Sequence, residues 1–250
     1  MSAIALYDAS LTLSGRLALD GVSLSVAAGE LVAVVGPNGA GKSTALRACL
    51  GLIALDQGRA ELGGDDVRRL SARTQAERAA YLPQDRRIAW NMPAVEVAAL
   101  GAPWLAGSEA RGRAVESLEA VGAVHLADRG VGEMSGGERA RVLLARALTA
   151  QATALIADEP IADLDPDAQL LVLDLLRQRA RAGRAVVASL HDLTLAARHA
   201  DRIIVLDRGC VAADSAPLTA LTPEILLSVF GIEGAWIETP DGPLLSARRA

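Results

Sequence analysis

Apolar residues recur along this chain with two periods, and their succession lays out a fold. Between residues 3 and 26 they alternate with polar ones, as Leu24 and Val26 do against Ser23 and Ser25, with turn signals at Ser14-Gly15 and Asp20-Gly21. Period-two alternation predicts antiparallel strands that turn one face to a core. Four later runs are apolar almost without interruption, at residues 31–35, 154–157, 185–190 and 203–206. They predict buried strands of a parallel sheet. Shorter strands are expected at 59–62 and at 79–82, the second stopping at Pro83.

Helical spacing takes over between these runs. A helix is expected over 45–52, a short one within the polar stretch 65–78, and several between 93 and 150, where Val95, Ala114, Leu118 and Val121 keep helical spacing. Asp165-Pro166 reads as an N-cap followed by proline at the first helical position, opening a helix to about residue 182. A helix over 223–230 stops at Gly231, and a hairpin over 236–245 turns at Asp241-Gly242. The whole reads as one α/β domain over 1–250. An antiparallel β-subdomain comes first, a helical subdomain is inserted at about 88–150, and a helix and hairpin close the chain at about 223–246.

Composition narrows the options. Hydrophobic residues make up 51% of the 250 positions and aromatic residues only 2%, so the core is aliphatic. The formal charge of −5 argues against a general nucleic-acid binder, which needs basic surface to displace counterions. The two cysteines, Cys49 and Cys210, have no metal-ligand spacing and read as reduced, mostly buried thiols of a cytosolic protein. No secretory signal is expected in residues 1–7, and no apolar run approaches the roughly 20 residues of a membrane span, so any membrane link is expected to be peripheral.

Candidate chemistry sits at the ends of the buried runs. Gly36-Pro37-Asn38-Gly39-Ala40-Gly41-Lys42-Ser43-Thr44 joins the 31–35 strand to a helix. Its glycines free backbone N–H groups to converge on phosphate, the helix dipole points at the same spot, Lys42 adds a charge, and the Ser43 hydroxyl can ligate Mg2+. Strand, loop and helix in that order favour a phosphate site over a ligand-free turn. Gln84 stands at another strand end, as an incidental residue or as one whose amide reaches the metal or attacking water. The 154–157 strand ends in Asp158-Glu159, two adjacent carboxylates that repel one another without a cation. His191 ends the 185–190 strand, where it can meet a γ-phosphate, whereas His125 and His199 read as ordinary packed or surface residues. Ser135-Gly136-Gly137-Glu138 opens a helix as a second small-residue anion site, which suggests a dimer. Trp90 and Trp104, at the margins of the helical lobe, suit packing or a partner groove equally.

Taken in this order, the motifs resemble those of the ATP-binding cassette family over essentially the whole chain. Gly36 to Thr44 matches its Walker A loop, Gln84 its Q-loop glutamine, Met134 to Glu138 its signature, and Asp158 and Glu159 its Walker B pair. Ala162 to Asp165 falls on the D-loop and His191 on the switch histidine. The resemblance implies a P-loop NTPase (RecA-like) core that binds ATP and Mg2+. Ser43, Gln84 and Asp158 would hold the metal, Glu159 would orient water, and Lys42, His191 and Gln84 would complete the catalytic set. It also implies a head-to-tail dimer, in which Ser135, Gly136, Gly137 and Glu138 of one copy cap the nucleotide of the other.

The chain departs from the family pattern in three places. Met134 and Glu138 stand where leucine and glutamine are usual, and Ala162-Asp163 where Ser-Ala is. Leu13 occupies the place of the adenine-stacking aromatic, so binding is expected to lean on phosphate contacts. The stretches 95–101, 190–197 and 226–231 are similar to those of importers of iron-siderophore, haem or cobalamin. That implies a membrane permease partner at the cytoplasmic face of the inner membrane and, indirectly, a substrate-binding protein. The rival readings are a soluble cassette ATPase of iron–sulfur assembly or DNA maintenance, a cassette of another transporter class, and a nucleotide-dependent scaffold without turnover.

Overall fold

A computed structural model describes residues 2–85, 88 and 90–250. Met1, and residue 89 of the expected helical lobe, lie outside them. The chain begins with β1 (Ser2–Leu13) and β2 (Arg16–Ala27), joined at Ser14-Gly15 as the alternation requires. Asp20-Gly21 is not a turn. Both residues lie inside β2, and Gly21, with φ +62°, sits in a stretch where the β1–β2 register shifts. The turn signal is real but is used as a local irregularity that lets the strand continue.

β3 (Leu31–Val35) is buried at every position and delivers the phosphate loop to α1 (Lys42–Cys49), which starts earlier and ends earlier than its apolar spacing suggests. The helix begins at Lys42 because the loop already turns N–H groups toward its axis, and it closes over Leu50 rather than running to 52. Next come β4 (Gln57–Leu62), the two-residue β5 (Asp65–Asp66), α2 (Ala72–Arg78) and β6 (Ala79–Leu82). The helical lobe carries α3 (Ala94–Ala99), α4 (Gly107–Ala120) and α5 (Gly136–Thr149).

The chain then re-enters the sheet as β7 (Ala154–Ala157), followed by α6 (Pro166–Arg181). Asp165 Oδ1 accepts the Ala168 N–H at 2.9 Å with Pro166 behind it, the cap read from sequence. β8 (Ala185–Ser189) and α7 (Leu193–His199) follow, then β9 (Arg202–Asp207) and β10 (Cys210–Ser215). α8 (Pro217–Ala220) and α9 (Pro223–Phe230) lead into β11 (Ile232–Thr239) and β12 (Gly242–Arg249). The last hairpin is longer than expected, and it turns at Pro240-Asp241 with Gly242 already in its second strand.

Three sheets result. A four-stranded antiparallel sheet has the order β2-β1-β4-β5, a six-stranded sheet β10-β9-β3-β8-β7-β6, and the terminal hairpin stands alone. In the large sheet β9, β3, β8, β7 and β6 are parallel, and β10 is an antiparallel edge.

Alternate residues of each parallel strand serve two separate cores. Leu31, Ala33 and Val35 of β3 face the helical side, while Val32 and Val34 face the antiparallel sheet and α1. Leu155 and Ala157 divide from Ala154 and Ile156 in the same way on β7. That is why these strands read as unbroken apolar runs. A fully buried residue such as Ile156 contributes about 1.5–3 kcal/mol through burial.

The hairpin is docked rather than trailing. Trp236 Nε1 donates to Leu221 O at 3.0 Å, and Arg198 Nε of α7 donates to Pro243 O at 2.9 Å. Trp104 packs on the helical core, whereas Trp90 is 73% exposed.

Candidate functional site

The parallel strands β3, β7 and β8 end on one side of the sheet, and the chemistry-bearing residues follow directly from those ends. The phosphate loop can form only with glycine at two points. A Cβ on Gly36 would lie 2.1 Å from Leu206 O, and one on Gly41, with φ +102°, would lie 2.6 Å from Ala18 O. Pressed this closely onto β9 and β2, the loop wraps an open cavity of about 300 Å³, lined by residues 38–44 together with Ala18, Gln84 and Glu159. The structure thus brings Asn38, Gly39, Ala40, Gly41, Lys42, Ser43, Thr44, Gln84 and Glu159 to one place. Gly36 and Pro37 form the floor under Lys42.

Lys42 is 6% exposed. Its ammonium donates to Gly36 O at 2.7 Å and Pro37 O at 3.1 Å. Burial pushes its pKa below the ordinary lysine value, against the opposing pull of Glu159 and Asp158. The cavity is thus bordered by a largely desolvated cation that the loop's own carbonyls hold in place.

The two adjacent acids do not point together as their sequence suggests. Asp158 is fully buried and is held from three directions. Its N–H donates to Leu82 O at 2.8 Å, and Oδ1 accepts from Ser43 Oγ at 2.9 Å and from Ser189 Oγ at 2.7 Å. Glu159 turns away because its backbone is left-handed, with φ +49°, a conformation that costs a non-glycine residue of order 1 kcal/mol. The Glu159 N–H donates to Ser189 Oγ at 2.8 Å, and Glu159 Oε1 lies 2.6 Å from His191 Nε2. The backbone thus directs the two carboxylates apart.

Asp158 Oδ2 is buried without a hydrogen-bond partner. An orphaned carboxylate oxygen beside a serine hydroxyl fits a hard cation that takes oxygen ligands. Among the described residues no group of three or more His, Cys, Asp or Glu could hold a metal. The oxygens of Asp158 and Ser43 fit a cation such as Mg2+, which binds through one or two protein oxygens together with substrate phosphates, and Gln84 lines the same cavity as Ser43.

Ser189 is the site residue that the sequence reading missed. Its one signal is a polar side chain at the tip of an otherwise apolar strand. His191 and Asp163 line an adjoining cleft with Glu159 and Ser189, so the switch position and the D-loop meet at the acid.

Ser135, Gly136, Gly137 and Glu138 do not line the phosphate cavity. They cap α5 in the helical lobe, and their N-terminus is less open to an anion than the small residues imply. Ser135 Oγ accepts the Glu138 N–H at 3.2 Å, and Glu138 Oε2 accepts the Ser135 N–H at 2.7 Å. This capping box satisfies two of the donors, at a helix start where Ser135 and Gly136 are exposed and Gly137 is half-buried. Leu13, at the end of β1, is 40% exposed and pairs with Arg16 across the first hairpin.

Comparison with known proteins returns one family. The ABC transporter family pattern matches residues 19–162. A hemin import ATP-binding protein, HmuV, of Nocardia farcinica is 44% identical over 237 residues, covering 93% of this chain and 81% of the relative. A cobalamin import ATP-binding protein, BtuD, of Halobacterium salinarum is 42% identical over 223 residues, covering 87% of this chain and 56% of the relative.

Among solved structures, a dimeric ATP-binding cassette in a post-hydrolysis state with ADP and Pi superposes with a TM-score of 0.78 at 26% identity. It covers 86% of this chain and 98% of its own. A chain from an inward-facing transporter described as of the metal-chelate type gives a TM-score of 0.84 at 22% identity, over 99% and 97% of the two chains. At that identity the likeness speaks for the fold alone.

Proposed function

Because the chain belongs to the ABC transporter ATP-binding family, and is thus an ATPase on a P-loop fold, we propose that it powers import of a metal chelate such as hemin, cobalamin or an iron-siderophore. The observation that carries the reading is the convergence of Lys42, Ser43, Gln84 and Glu159 at one cavity, with Asp158 bonded to Ser43 beneath it and His191 2.6 Å from Glu159. The cargoes of the 44% and 42% identical relatives, hemin and cobalamin, support the cargo class.

Each side chain then has a task that its surroundings permit. The N–H groups of residues 38–44 and the Lys42 ammonium hold the nucleotide's phosphates and balance their charge. Glu159 orients and deprotonates the attacking water, and His191 fixes the Glu159 carboxylate and faces the γ-phosphate. Gln84 contributes its amide oxygen beside the metal and the water. Asp158, Ser43 and Gln84 would hold Mg2+, which when bound would supply charge neutralisation for the nucleotide's phosphates.

Two copies close head to tail, so that Ser135, Gly136, Gly137 and Glu138 of each meet the nucleotide of the other. Residues 1–250 act as one ATP-binding domain, with 88–150 as its helical subdomain and 223–246 as the terminal helix and hairpin. Among the described residues no helix is long and apolar enough to cross a membrane, which suits attachment through a separate permease at the cytoplasmic membrane face. A substrate-binding protein feeds that permease, and no nucleic acid is involved.

The test is purification with the permease and assay of MgATP hydrolysis in liposomes. Stimulation by one metal chelate is expected, and Glu159→Gln is expected to trap ATP in a closed dimer. Hydrolysis unchanged in Glu159→Gln, or co-purification with soluble assembly factors alone, would refute the reading.

A further inference from the structure

Glu138 places a negative charge at the N-terminus of α5, on the face proposed above to receive a partner's nucleotide. Its carboxylate lies below the ordinary glutamate range, held there first by the Ser135 N–H and then by the Ser135 side chain, with Arg129 and His125 adding a weaker pull against burial. It is therefore ionised at neutral pH. A helix N-terminus welcomes such a charge in isolation. Phosphate arriving at the Gly136 and Gly137 N–H groups meets it as a like charge, and more strongly once closure expels water.

One cation lies against it. Arg129 Nη1 is 3.2 Å from Glu138 Oε1, and Arg129 Nη2 donates to Glu133 O in the turn before the helix. The guanidinium thus bridges the turn and the cap, and it reaches the Glu138 oxygen that Ser135 does not use.

We propose that Arg129 is a positioning residue for ATP-driven closure. It neutralises Glu138 and pins the carboxylate to the side of the cap, so that the Ser135 hydroxyl and the two glycine N–H groups meet phosphate without a free negative charge beside them. The inference rests on the head-to-tail reading above, and it assigns a role to a residue outside the motifs that led there. Arg129 and Glu138 are partly exposed, so one pair shifts an equilibrium by about two- to fivefold. A closed dimer contains two such faces, which multiplies to about 4- to 25-fold.

The test compares Arg129→Ala, Arg129→Lys, Glu138→Gln and the double variant Arg129→Ala/Glu138→Gln in the full chain. ATP-dependent dimer formation is measured by light scattering in a Glu159→Gln background, and ATPase kinetics without it. Fluorescent-nucleotide binding to the monomer serves as a folding control. Arg129→Ala is expected to weaken dimerisation 4- to 25-fold and to raise the KM for ATP more than it lowers kcat, with monomer binding unchanged. Arg129→Lys recovers part of the loss. In the Glu138→Gln background Arg129→Ala has no further effect, because the charge it answers is gone.

Equal loss in both backgrounds would reduce Arg129 to a staple on Glu133 and overturn the proposal. So would unimpaired dimerisation in Arg129→Ala while Ser135→Arg abolishes it. No ATP-dependent dimer in any variant, Arg129 intact or not, would overturn the head-to-tail reading itself and this inference with it.

Discussion

Ser189 Oγ donates a 2.7 Å hydrogen bond to Asp158 Oδ1, joining the tip of β8 to the buried acid at the end of β7. The same oxygen accepts the Glu159 N–H at 2.8 Å, so one hydroxyl orients Asp158 and holds the left-handed backbone that swings Glu159 toward His191. Removing it leaves a buried carboxylate with one fewer donor and a strained residue with one fewer restraint.

Ser189→Ala is therefore expected to lower ATPase activity about tenfold and to raise the Mg2+ concentration needed for half-maximal rate, the usual scale for an outer partner of a metal-ligating carboxylate. Titration of Mg2+ at saturating ATP checks this. An unchanged Mg2+ dependence would mean that Ser43 alone orients Asp158.

His191→Ala should reduce kcat at least about 100-fold, the lower end for loss of one donor that stabilises charge in the transition state. The KM for ATP should stay within about threefold, since the phosphate loop is intact. Steady-state kinetics separate the two terms, and a defect confined to KM would place His191 in ground-state binding.

Leu13→Tyr should lower the KM for ATP about threefold, because a ring at this exposed strand end offers the base a stacking surface. Competition between ATP and tripolyphosphate reads it out. Equal gains for both ligands would show that the base does not reach this strand.

A pH effect follows from Glu30, at the turn that feeds β3. Burial drives its pKa upward, but Arg202 Nε at 2.7 Å and the Ala27 N–H at 2.9 Å outweigh burial and hold it below the ordinary value of 4.5. A carboxyl with a depressed folded pKa contributes stability that is complete above its unfolded value and is lost as pH falls through the folded one. Glu30→Gln should thus cost about 2 kcal/mol at pH 7. The gap should narrow as pH drops below about 4.5. Thermal melts of both proteins across that range decide it, and a gap that stays constant to acid pH would contradict the assignment.

Cys49 and Cys210 should part company under a thiol reagent. Cys49 is fully buried with its thiol pushed up to about 12, so it stays protonated and out of reach at pH 8. Cys210 is exposed. One modification per chain is expected by mass spectrometry before unfolding and two after it, whereas two in the native protein would contradict the burial of α1.

Sequence pattern carried most of the architecture, because buried parallel strands have to be apolar on both faces and their ends have to carry the polar chemistry. It failed where one residue's backbone decided the outcome. Gly21 looks like a turn yet bends a continuous strand, since positive φ is read the same way in either setting. Asp158 and Glu159 look like a repelling pair because sequence cannot show that the second lies at φ +49°. Ser189 was hidden by its own strand, one hydroxyl after four apolar residues, and only the approach of β7 to β8 gives it a purpose. Small residues at 135–137 suggested an open anion site, while the closing carboxylate of Glu138 depends on a rotamer.

β6 and β7 run in register from Ala79 against Ala154 to Leu82 against Ala157, and the Asp158 N–H extends the ladder by one bond to Leu82 O. A slip of one residue would turn every side chain of either strand to the wrong core, so the pair is geared without slack. Gln84 stands two residues beyond Leu82, and Asp158 stands directly on the bond. Only Pro83 therefore separates Gln84 from the residue whose carbonyl holds the Asp158 N–H.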